Sequence, residues 1–302
     1  MSNKICVVGS INMDVTLSVT NLPKTGETIF GWDKMLCPGG KGFNQALTAA
    51  KTGAEVSFVG GLGNDAYAKL IIDIMKVEGI DTKWIKMFDT ADTGEAFIVA
   101  QHDGKNFIIV SKGANALLDI DQIQSALTET ANSDIFLSQF EVPAEAIQQF
   151  FSRAKELGKL TMLNPAPAQE ISDKLLLRTD IIIPNETELE YITGCSAESL
   201  EGLREGARYF LDRGVKLVIV TLGKRGAAII TRGECAIVPA DRSVTAVDST
   251  GAGDSFIGAF ASAVDVSDFM NMEKLTRWVE FAQSIAQKVI MKKGAYEAIK
   301  TL

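Results

Sequence analysis

The sequence contains a single histidine and few cysteines. Most catalytic sites built on a histidine base, and most metal sites built on several histidines, are therefore excluded. The lone His102 lies in residues 101–104, which are typical of a hairpin turn, and we assign it no role. The four cysteines are too far apart to indicate a zinc site: Cys6, Cys37, Cys195 and Cys235. Any proton transfer must be carried out by a carboxylate, lysine, tyrosine or cysteine side chain.

Basic residues are outnumbered, with 30 lysines and arginines against 38 aspartates and glutamates and a net charge of −8. The basic residues form no cluster, so the chain is a poor candidate for nucleic-acid binding. No uncharged apolar stretch is long enough to span a membrane, and residues 1–10 lead into a predicted strand without a signal-type segment. We therefore expect a cytoplasmic protein with neither nucleic acid nor a membrane as a partner.

Short apolar runs rich in β-branched residues alternate with longer amphipathic segments along the chain. The predicted strands are residues 5–9, 56–60, 135–137, 160–163, 181–183 and 217–221. The predicted helices are residues 42–52, 65–78, 144–157, 186–193, 200–213 and 256–264. This alternation predicts an α/β fold, formed as one domain over residues 1–302, with a doubly wound, mostly parallel sheet between helices.

Two stretches, residues 14–38 and 94–111, break this alternation. Each contains two runs of strand character on either side of turn residues, among them Asp103 and Gly104. Because a two-stranded hairpin alone is only marginally stable, we expect the two stretches to pair with each other. They predict a small antiparallel β layer over the carboxyl ends of the main strands, where it can act as a lid.

The strongest candidate for a catalytic segment is residues 246–256, where a short apolar run, predicted as a strand, precedes an apolar helix. Gly251 and Gly253 allow a sharp turn that exposes backbone amides, and a helix N-terminus there can hold a phosphate. Asp254 stands at the mouth of this anion site. Because a carboxylate repels phosphate, Asp254 makes chemical sense as a base that takes a proton from an attacking hydroxyl. The alternative is a helix cap.

Two further segments carry side chains suited to a sugar. Residues 38–46 place glycines before a helix, with Lys41 and Asn44 as donors to hydroxyls or phosphate. Asn12 and Asp14 follow the first predicted strand and, as alternate residues, point the same way, so they can bracket vicinal hydroxyls. The alternatives are a solvated glycine-rich turn and an Asx-turn at the end of the strand.

Two more segments follow apolar strands and suit a nucleotide. Asn185 and Glu188 lie on one face of a first helical turn, where an amide and a carboxylate suit hydrated Mg²⁺. Residues 221–227 form a glycine turn that can hold a nucleotide by backbone contact. The alternatives are an ordinary helix start and an ordinary turn. Residues 60–65 resemble a dinucleotide fingerprint only loosely, which makes an oxidoreductase a weak alternative.

An ordered set of segments resembles the ribokinase-like, phosphofructokinase-B-type family of carbohydrate kinases, and the resemblance covers nearly the whole chain. The segments are residues 9–14, 39–44, 164–167, 184–188, 221–226 and 248–254. The resemblance implies a three-layer α/β fold with a β lid, and transfer of phosphate from Mg-ATP to the 5-hydroxyl of ribose. It also implies a homodimer formed through the lid and a site for a monovalent cation such as K⁺.

The family's functional residues are carried over at the positions that match its motifs. The general base is matched by Asp254, and the anion hole by Gly251, Ala252 and Gly253. The sugar site is matched by Asn12, Asp14, Gly40, Lys41, Asn44 and Glu141. The nucleotide site is matched by Asn185, Glu188, Thr221, Gly223, Gly226 and Gln283. The monovalent-cation site is matched by Asp248, Thr250 and Gly294.

The sequence departs from the family pattern at a few positions. Phe43 stands where a small residue is usual, and it either packs in the interior or reshapes the sugar pocket. Glu297 and Ala298 replace a serine on the far side of the cation site, which weakens the case for activation by K⁺. Gln283 stands where some members place a histidine against adenine. The alternatives left open are a kinase for deoxyribose, another sugar or a nucleoside, and a catalytically silent sugar-binding protein.

Overall fold

The computed structural model describes residues 2–101 and 106–302. Its strands are β1 (Lys4–Val8), β2 (Asn12–Val19), β3 (Trp32–Gly39), β4 (Glu55–Gly63), β5 (Asp81–Phe88), β6 (Gly94–Gln101), β7 (Asn106–Ser111), β8 (Ile135–Gln139), β9 (Leu160–Asn164), β10 (Ile181–Ile182), β11 (Leu217–Thr221), β12 (Ala227–Ile230) and β13 (Cys235–Val238). Its helices are α1 (Lys41–Lys51), α2 (Ala66–Val77), α3 (Ile120–Glu129), α4 (Ala144–Glu156), α5 (Asp173–Leu176), α6 (Glu186–Thr193), α7 (Leu200–Leu211), α8 (Ala252–Ala263), α9 (Met272–Ile290) and α10 (Ala295–Ile299).

A nine-stranded sheet forms the centre of the fold, in the order β13-β12-β11-β10-β9-β8-β1-β4-β5. The pairs from β11 to β5 are parallel, whereas β12 and β13 are antiparallel to their neighbours. Parallel strands end at the same edge, so Val8, Gln139, Asn164 and Thr221 come together at one edge of the sheet. Open α/β sheets bind their ligands at this edge. The predicted α/β class is confirmed.

Hydrophobic cores fill the space on both faces of the sheet. Ile5 and Val7 of β1 face the core under α1, α2, α8 and α9. Cys6 and Val8 face the core under α3, α4 and α7, because successive side chains of a strand point to opposite faces. Phe43 is fully buried in the first core, where burial of such a side chain stabilises by about 1.5–3 kcal/mol. Phe43 therefore packs in the interior of the protein.

The second sheet has four strands in the order β3-β2-β6-β7 and forms the expected small β layer, which we call the lid sheet. The pairs β2–β3 and β6–β7 are antiparallel, as predicted, and the two predicted stretches do pair with each other. The central pairing, β2–β6, is parallel, because both strands start side by side, with Asn12 opposite Gly94. The hairpin turn expected around His102 lies in residues 102–105, outside the described residues.

One predicted strand is wrong, and several observed elements were not predicted. The strand expected before the glycine motif does not form, since residues 239–251 contain no strand and Val247 is 67% exposed. The amides of Val247 and Asp248 instead donate to the carbonyl of Ile290 at 2.7 and 3.1 Å. Residues 28–31, expected in the lid, precede β3. The sequence patterns also do not predict β5, β12, β13, α3 and α9.

Candidate active site

A cavity of about 210 Å³ opens at the carboxyl edge of the central sheet. Its walls come from the loops after β9, β10 and β11 and from the first turns of α1, α6 and α8. The lining residues are Lys41, Asn164, Ala166, Ile183, Asn185, Glu188, Thr221, Ser249, Gly251, Ala252, Gly253, Asp254 and Ile257. Residues from five separate sequence motifs therefore meet in one space, and we treat this cavity as the candidate active site.

The N-terminus of α8 supplies backbone donors to this cavity. Gly251 precedes the helix in the left-handed region, with a φ of 79°, and a Cβ there would come within 2.7 Å of the Ala295 Cβ. Only glycine fits such a position without strain. Within the described part of the chain, the amides of Gly253 and Asp254 have no hydrogen-bond partner, as expected for a first helical turn. The Ala252 amide, expected in the anion hole, donates instead to the Ser249 carbonyl at 3.2 Å.

Asp254 lies in the first turn of α8 and is 8% exposed. Its Oδ1 accepts a hydrogen bond from Gln45 Nε2 at 2.9 Å, and its Oδ2 accepts one from Asn44 Nδ2 at 3.3 Å. Burial raises the pKa of Asp254, while the Lys41 ammonium and the Gln45 amide act in the opposite direction. Asp254 does not cap its own helix through a side-chain hydrogen bond to the backbone, so the helix-cap alternative is not what the structure shows.

The first turn of α1 brings a cation to the same cavity. The Asp254 carboxylate raises the pKa of Lys41, and burial opposes this effect. The Lys41 backbone amide donates to Glu141 Oε2 at 3.0 Å, and the Ser10 hydroxyl donates to the same oxygen. Glu141 therefore holds the glycine loop in place from the end of β8. Gly40, with a φ of 93°, lets the chain turn into α1 close to the backbone of residues 10–12.

Asn12 and Asp14 project from β2 of the lid sheet at alternate positions, as expected. Asn12 is buried, and its Oδ1 accepts a hydrogen bond from Asn115 Nδ2 at 2.8 Å. Burial, and after it the charges of Glu141 and Asp254, raise the pKa of Asp14 to about 7. Asp14 thus lies near Glu141 and Asp254, and the same two carboxylates raise the pKa of Lys41.

The nucleotide-side residues are only partly brought together. Asn185 and Glu188 form a capping box. The backbone amide of Asn185 donates to Glu188 Oε2 at 2.9 Å, and the backbone amide of Glu188 donates to Asn185 Oδ1 at 2.8 Å. Burial raises the pKa of Glu188, which lines the cavity. Thr221 also lines the cavity, and its backbone forms an isolated parallel β-bridge with Asn185. The structure therefore shows the ordinary helix start, and both Asn185 and Glu188 also line the cavity, so their ligand role stays a prediction.

Gly223, Gly226 and Gln283 do not line this cavity. Gly226 has a φ of 104°, and a Cβ there would come within 2.0 Å of the Val238 carbonyl oxygen. Gln283 is buried, and its Nε2 donates to the same carbonyl at 2.9 Å. These residues shape the turn after β11 and its contact with α9, and the contact of Gly226 with Val238 is one that glycine alone allows.

The three residues expected at a monovalent-cation site lie together. Asp248 Oδ1 accepts hydrogen bonds from the Thr250 amide and hydroxyl at 2.9 and 2.7 Å, and Oδ2 accepts one from the Gly294 amide at 2.8 Å. Partial burial raises the pKa of Asp248, but these hydrogen bonds outweigh burial and lower the pKa below its usual range. Among the described residues, no three His, Cys, Asp or Glu side chains form a metal cluster.

The sequence profile of the pfkB family of carbohydrate kinases matches residues 2–302. The chain belongs to this family. Like other members, this pfkB kinase is a phosphotransferase, and the resemblance drawn from its motifs is confirmed. None of the helices described in residues 2–101 and 106–302 combines the length and apolar character needed to cross a lipid bilayer.

Relatives of this pfkB kinase match it along most of its length. The ribokinase of Staphylococcus aureus (strain COL) is 37% identical over 303 residues, which cover 100% of this chain and 98% of that protein. The deoxyribokinase of Salmonella typhi is 36% identical over 258 residues, 85% of this chain and 84% of that protein. The structure of Arabidopsis thaliana ribokinase complexed with ribose and ATP superimposes with a TM-score of 0.88 at 34% identity, covering 99% of this chain and 96% of that chain.

Several polar residues of the site were missed at the sequence level. They are Ser10, Gln45, Asn115, Gln139 and Asn164, and all are buried. Asn164 fell within a matching motif without an assigned role. The available signal for Gln45 was its position next to Asn44 in the segment of residues 38–46. A buried polar side chain needs hydrogen-bond partners, and the partners here include Asp254, Glu141 and Asn12.

A second cavity, of about 260 Å³, lies between α7 and the turn that joins β12 to β13. Exposed charged side chains form much of its wall, among them Arg204, Arg208 and Arg232. Because β12 runs antiparallel to β11, this turn lies at the amino edge of the parallel strands, opposite the first cavity. Its greater volume therefore does not make it the active site of this pfkB kinase.

Proposed function

We propose that this pfkB kinase transfers the γ-phosphoryl group of ATP to the 5-hydroxyl of ribose. The observation that carries the proposal is Asp254, a buried carboxylate beside partner-free amides of α8 and within a cavity that also contains Lys41. A base next to an anion site suits transfer of a phosphoryl group to a hydroxyl. Relatives named ribokinase along the whole chain support ribose as the acceptor.

In the proposed reaction, Asp254 accepts the proton of the ribose hydroxyl as that oxygen bonds to the γ-phosphorus. The bond from the γ-phosphorus to the bridging oxygen breaks, and ADP leaves with the electron pair. The amides of Gly253 and Asp254 stabilise charge on the transferring group, where loss of one donor typically costs roughly 10²–10³ in rate. Lys41 compensates the negative charges that gather around Asp254. The lid, when closed, would exclude water.

We assign the sugar subsite to the residues between the lid sheet and α1. Asn12 and Asp14 present an amide and a carboxylate for vicinal hydroxyls, and Gly40, Lys41 and Asn44 face them from the glycine loop. Glu141 acts through the loop, because its carboxylate accepts hydrogen bonds from Ser10 and from the Lys41 amide.

We assign the Mg-ATP subsite to the other side of the cavity. Glu188 fits a cation, because it is a carboxylate whose charge is poorly solvated and which faces the cavity with Asn185. Both residues already bond each other, so we propose that they hold Mg²⁺ through its waters. When bound, Mg²⁺ would neutralise part of the negative charge of the phosphates. Thr221 lines the cavity and would contact the nucleotide, whereas Gly223, Gly226 and Gln283 do not line it and would support that side of the site from outside.

We also propose a monovalent-cation site at Asp248, Thr250 and Gly294. Both carboxylate oxygens of Asp248 already accept hydrogen bonds, from Thr250 and from the Gly294 amide, so a K⁺ ion would be held mainly by backbone carbonyl oxygens. Glu297 and Ala298, which replace the usual serine, lie in the adjacent α10. Activity with K⁺ compared with activity in a large organic cation tests this site directly.

The lid exposes large apolar side chains, and we propose that it forms the contact of a homodimer. Trp32 is 44% exposed, Phe107 57% and Ile109 63%. A sheet edge and face of this kind favour association with a second copy. We propose that the chain is otherwise one domain, with residues 14–38 and 94–111 as the lid. Sedimentation equilibrium, with Ile109→Lys as the disrupting variant, tests the dimer.

Deoxyribose is the second candidate acceptor. The observation that favours it is the deoxyribokinase of Salmonella typhi, which is 36% identical over 85% of this chain. Against it, an amide and a carboxylate paired as in Asn12 and Asp14 suit two neighbouring hydroxyls, one of which deoxyribose lacks.

The deciding experiment is an ADP-release assay with Mg-ATP and a panel of acceptors: ribose, 2-deoxyribose, fructose and adenosine, each with and without K⁺. Phosphorus NMR of the product identifies the phosphorylated hydroxyl. Ribose-selective turnover at the 5-hydroxyl supports the proposal. Turnover of deoxyribose or another acceptor replaces the substrate but keeps the role of Asp254. Ribose binding by calorimetry without turnover would indicate a catalytically silent sugar-binding protein.

A further inference from the structure

A fully buried glutamine lies directly behind the candidate base. Gln45 belongs to the second turn of α1 and has no exposed surface. Burying an amide is costly unless its polar atoms are all hydrogen-bonded. Gln45 has partners for its polar atoms, and each partner comes from a different part of the fold.

The hydrogen bonds of Gln45 fix the direction in which its amide points. Oε1 accepts a hydrogen bond from Gln139 Nε2 at 2.7 Å. Nε2 donates to Asp254 Oδ1 at 2.9 Å and to Asn164 Oδ1 at 3.2 Å. A flipped amide would turn an oxygen towards the Asp254 carboxylate and an N–H towards the Gln139 amide, so only one orientation satisfies all the partners.

The two oxygens of Asp254 consequently differ. Oδ1 has the 2.9 Å bond from Gln45, whereas Oδ2 has only the longer 3.3 Å bond from Asn44. We propose that Gln45 is a positioning residue that anchors Asp254 Oδ1, so that Oδ2 is the oxygen that accepts the proton of the sugar hydroxyl. This inference rests on the proposed function of Asp254 as a general base.

The same bond has an electrostatic effect. Burial raises the pKa of Asp254, and hydrogen bonds from Gln45 to the ionised carboxylate lower it again. The charged groups that face Asp254 from the surrounding elements are Lys41 of α1, Glu141 after β8, Asp14 of β2 and Glu188 of α6. Lys41 favours the ionised form, and the three carboxylates oppose it. Gln45 is a neutral group that favours ionisation without adding charge to the cavity.

The test replaces Gln45 by methionine, which is similar in volume but has no amide. The readout is the single-turnover rate of phosphoryl transfer at saturating ribose and Mg-ATP, measured by rapid quench over a range of pH. We expect the rate at neutral pH to fall roughly tenfold, as for loss of a hydrogen bond to a charged group. We also expect the acidic limb of the profile to move to higher pH, with the ribose Kd changed less than about threefold. Because ribose is saturating, protonation of Asp14 does not change the measured rate through weaker sugar binding.

Two further variants keep the test decisive. Gln139→Met removes the bond that orients Gln45 and leaves Asp254 untouched, so it should move the acidic limb in the same direction by a smaller amount. Gln122→Met is the matched control: Gln122 is also a buried amide with two donor bonds, to the carbonyls of Gly60 and Trp84 at 2.7 and 3.1 Å, but it lies on α3. It should lower the melting temperature without moving the acidic limb.

The outcomes separate the two proposals. An acidic limb that stays in place in both the Gln45→Met and Gln139→Met enzymes overturns the positioning role, even if both rates fall. If Gln45→Met does not fold, the Gln139→Met profile decides. A wild-type enzyme that turns over none of the acceptors overturns the proposed function itself, whatever the variants do.

Discussion

The carboxylate of Asp14 lies directly against Gly39 on the neighbouring lid strand: a Cβ atom on Gly39 would come within 2.2 Å of Asp14 Oδ2. In the pairing of β2 with β3, Gly39 lies opposite Asn12, and Asp14 lies opposite Cys37. The absence of a side chain at Gly39 therefore creates the space in which the Asp14 carboxylate sits. This contact links the glycine loop to the Asp14 carboxylate, the proposed sugar ligand.

Gly39→Ala should displace Asp14 and weaken sugar binding. We expect the KM for ribose to rise about tenfold, as for the loss of a hydrogen bond to a charged group, with a smaller change in kcat. Gly233→Ala is the control, because a Cβ on Gly233 meets no atom within 4 Å. Steady-state kinetics over a range of ribose concentrations measures the effect. Equal ribose KM values for the two variants would show that Asp14 does not hold the sugar.

Asp254→Asn should stop the reaction without unfolding the protein. Loss of a general base typically costs about 10²–10⁴ in rate. Burial raises the pKa of Asp254, so the ionised carboxylate is unfavourable for folding at neutral pH, and a neutral amide should not lower the melting temperature. Rapid-quench kinetics and calorimetric binding of ribose measure the two effects. Retained turnover would remove Asp254 from the mechanism.

The pKa of Asp14, raised to about 7, predicts that ribose binding depends on pH. The ionised carboxylate is the better acceptor for hydroxyls, so ribose affinity should increase as the pH rises through about 7 and then level off. Asp14→Asn should bind ribose more weakly at high pH and show no such rise. Calorimetric titration across this range, with constant ionic strength, provides the measurement.

The stability effect of Asp14 has the opposite sign. Because its pKa in the folded protein is above its ordinary value of 3.8, the folded state binds more protons than the unfolded state between the two values. The stability that Asp14 contributes is therefore present at low pH and lost as the pH rises through about 7. Asp14→Asn should be more stable than the wild type at neutral pH in urea unfolding. A carboxylate kept at this cost supports a role in binding.

The parts of the site that the sequence predicts are those carried by local motifs. The turn at Gly251, the placement of Asp254 in the first turn of α8 and the pair Asn185–Glu188 each follow from a few neighbouring residues, and the alternation of strands and helices brings the motifs to one edge. The buried amide group could not be predicted in this way. Gln45 and Gln139 are 94 residues apart in the chain, and no periodicity shows which polar side chains meet in the interior.

The strands that were predicted wrongly or not at all have similar causes. β5 is an edge strand in which buried and exposed positions do not alternate regularly, so it has no strand periodicity. Residues 246–247 are apolar, but no strand forms there, because Val247 is exposed and the backbone pairs with the end of α9. In both places the tertiary environment outweighs the local pattern.

The salt bridges of the buried Asp180, far from the cavity, should contribute to stability but not to activity. Asp180 is 2% exposed and contacts Lys155 Nζ at 2.6 Å and Lys216 Nζ at 2.9 Å, while the Thr161 amide donates to it at 3.0 Å. Burial raises the pKa of Asp180, but these partners outweigh burial and lower the pKa. The stability that Asp180 contributes is thus present above its ordinary pKa and lost as the pH falls through its lower, folded-state value.

Asp180→Asn removes the buried carboxylate that both partly exposed lysines contact, and loss of a hydrogen bond to a charged group costs about 1.5–3 kcal/mol. We expect the free energy of unfolding to fall by about this amount at neutral pH, and the difference from the wild type to shrink as the pH is lowered, because both proteins then lack the charge. The rate of phosphoryl transfer should be unchanged below the melting temperature. Urea unfolding at several pH values provides the first measurement, and a constant difference between the two proteins at all pH values would show that packing, and not charge, is the contribution of Asp180.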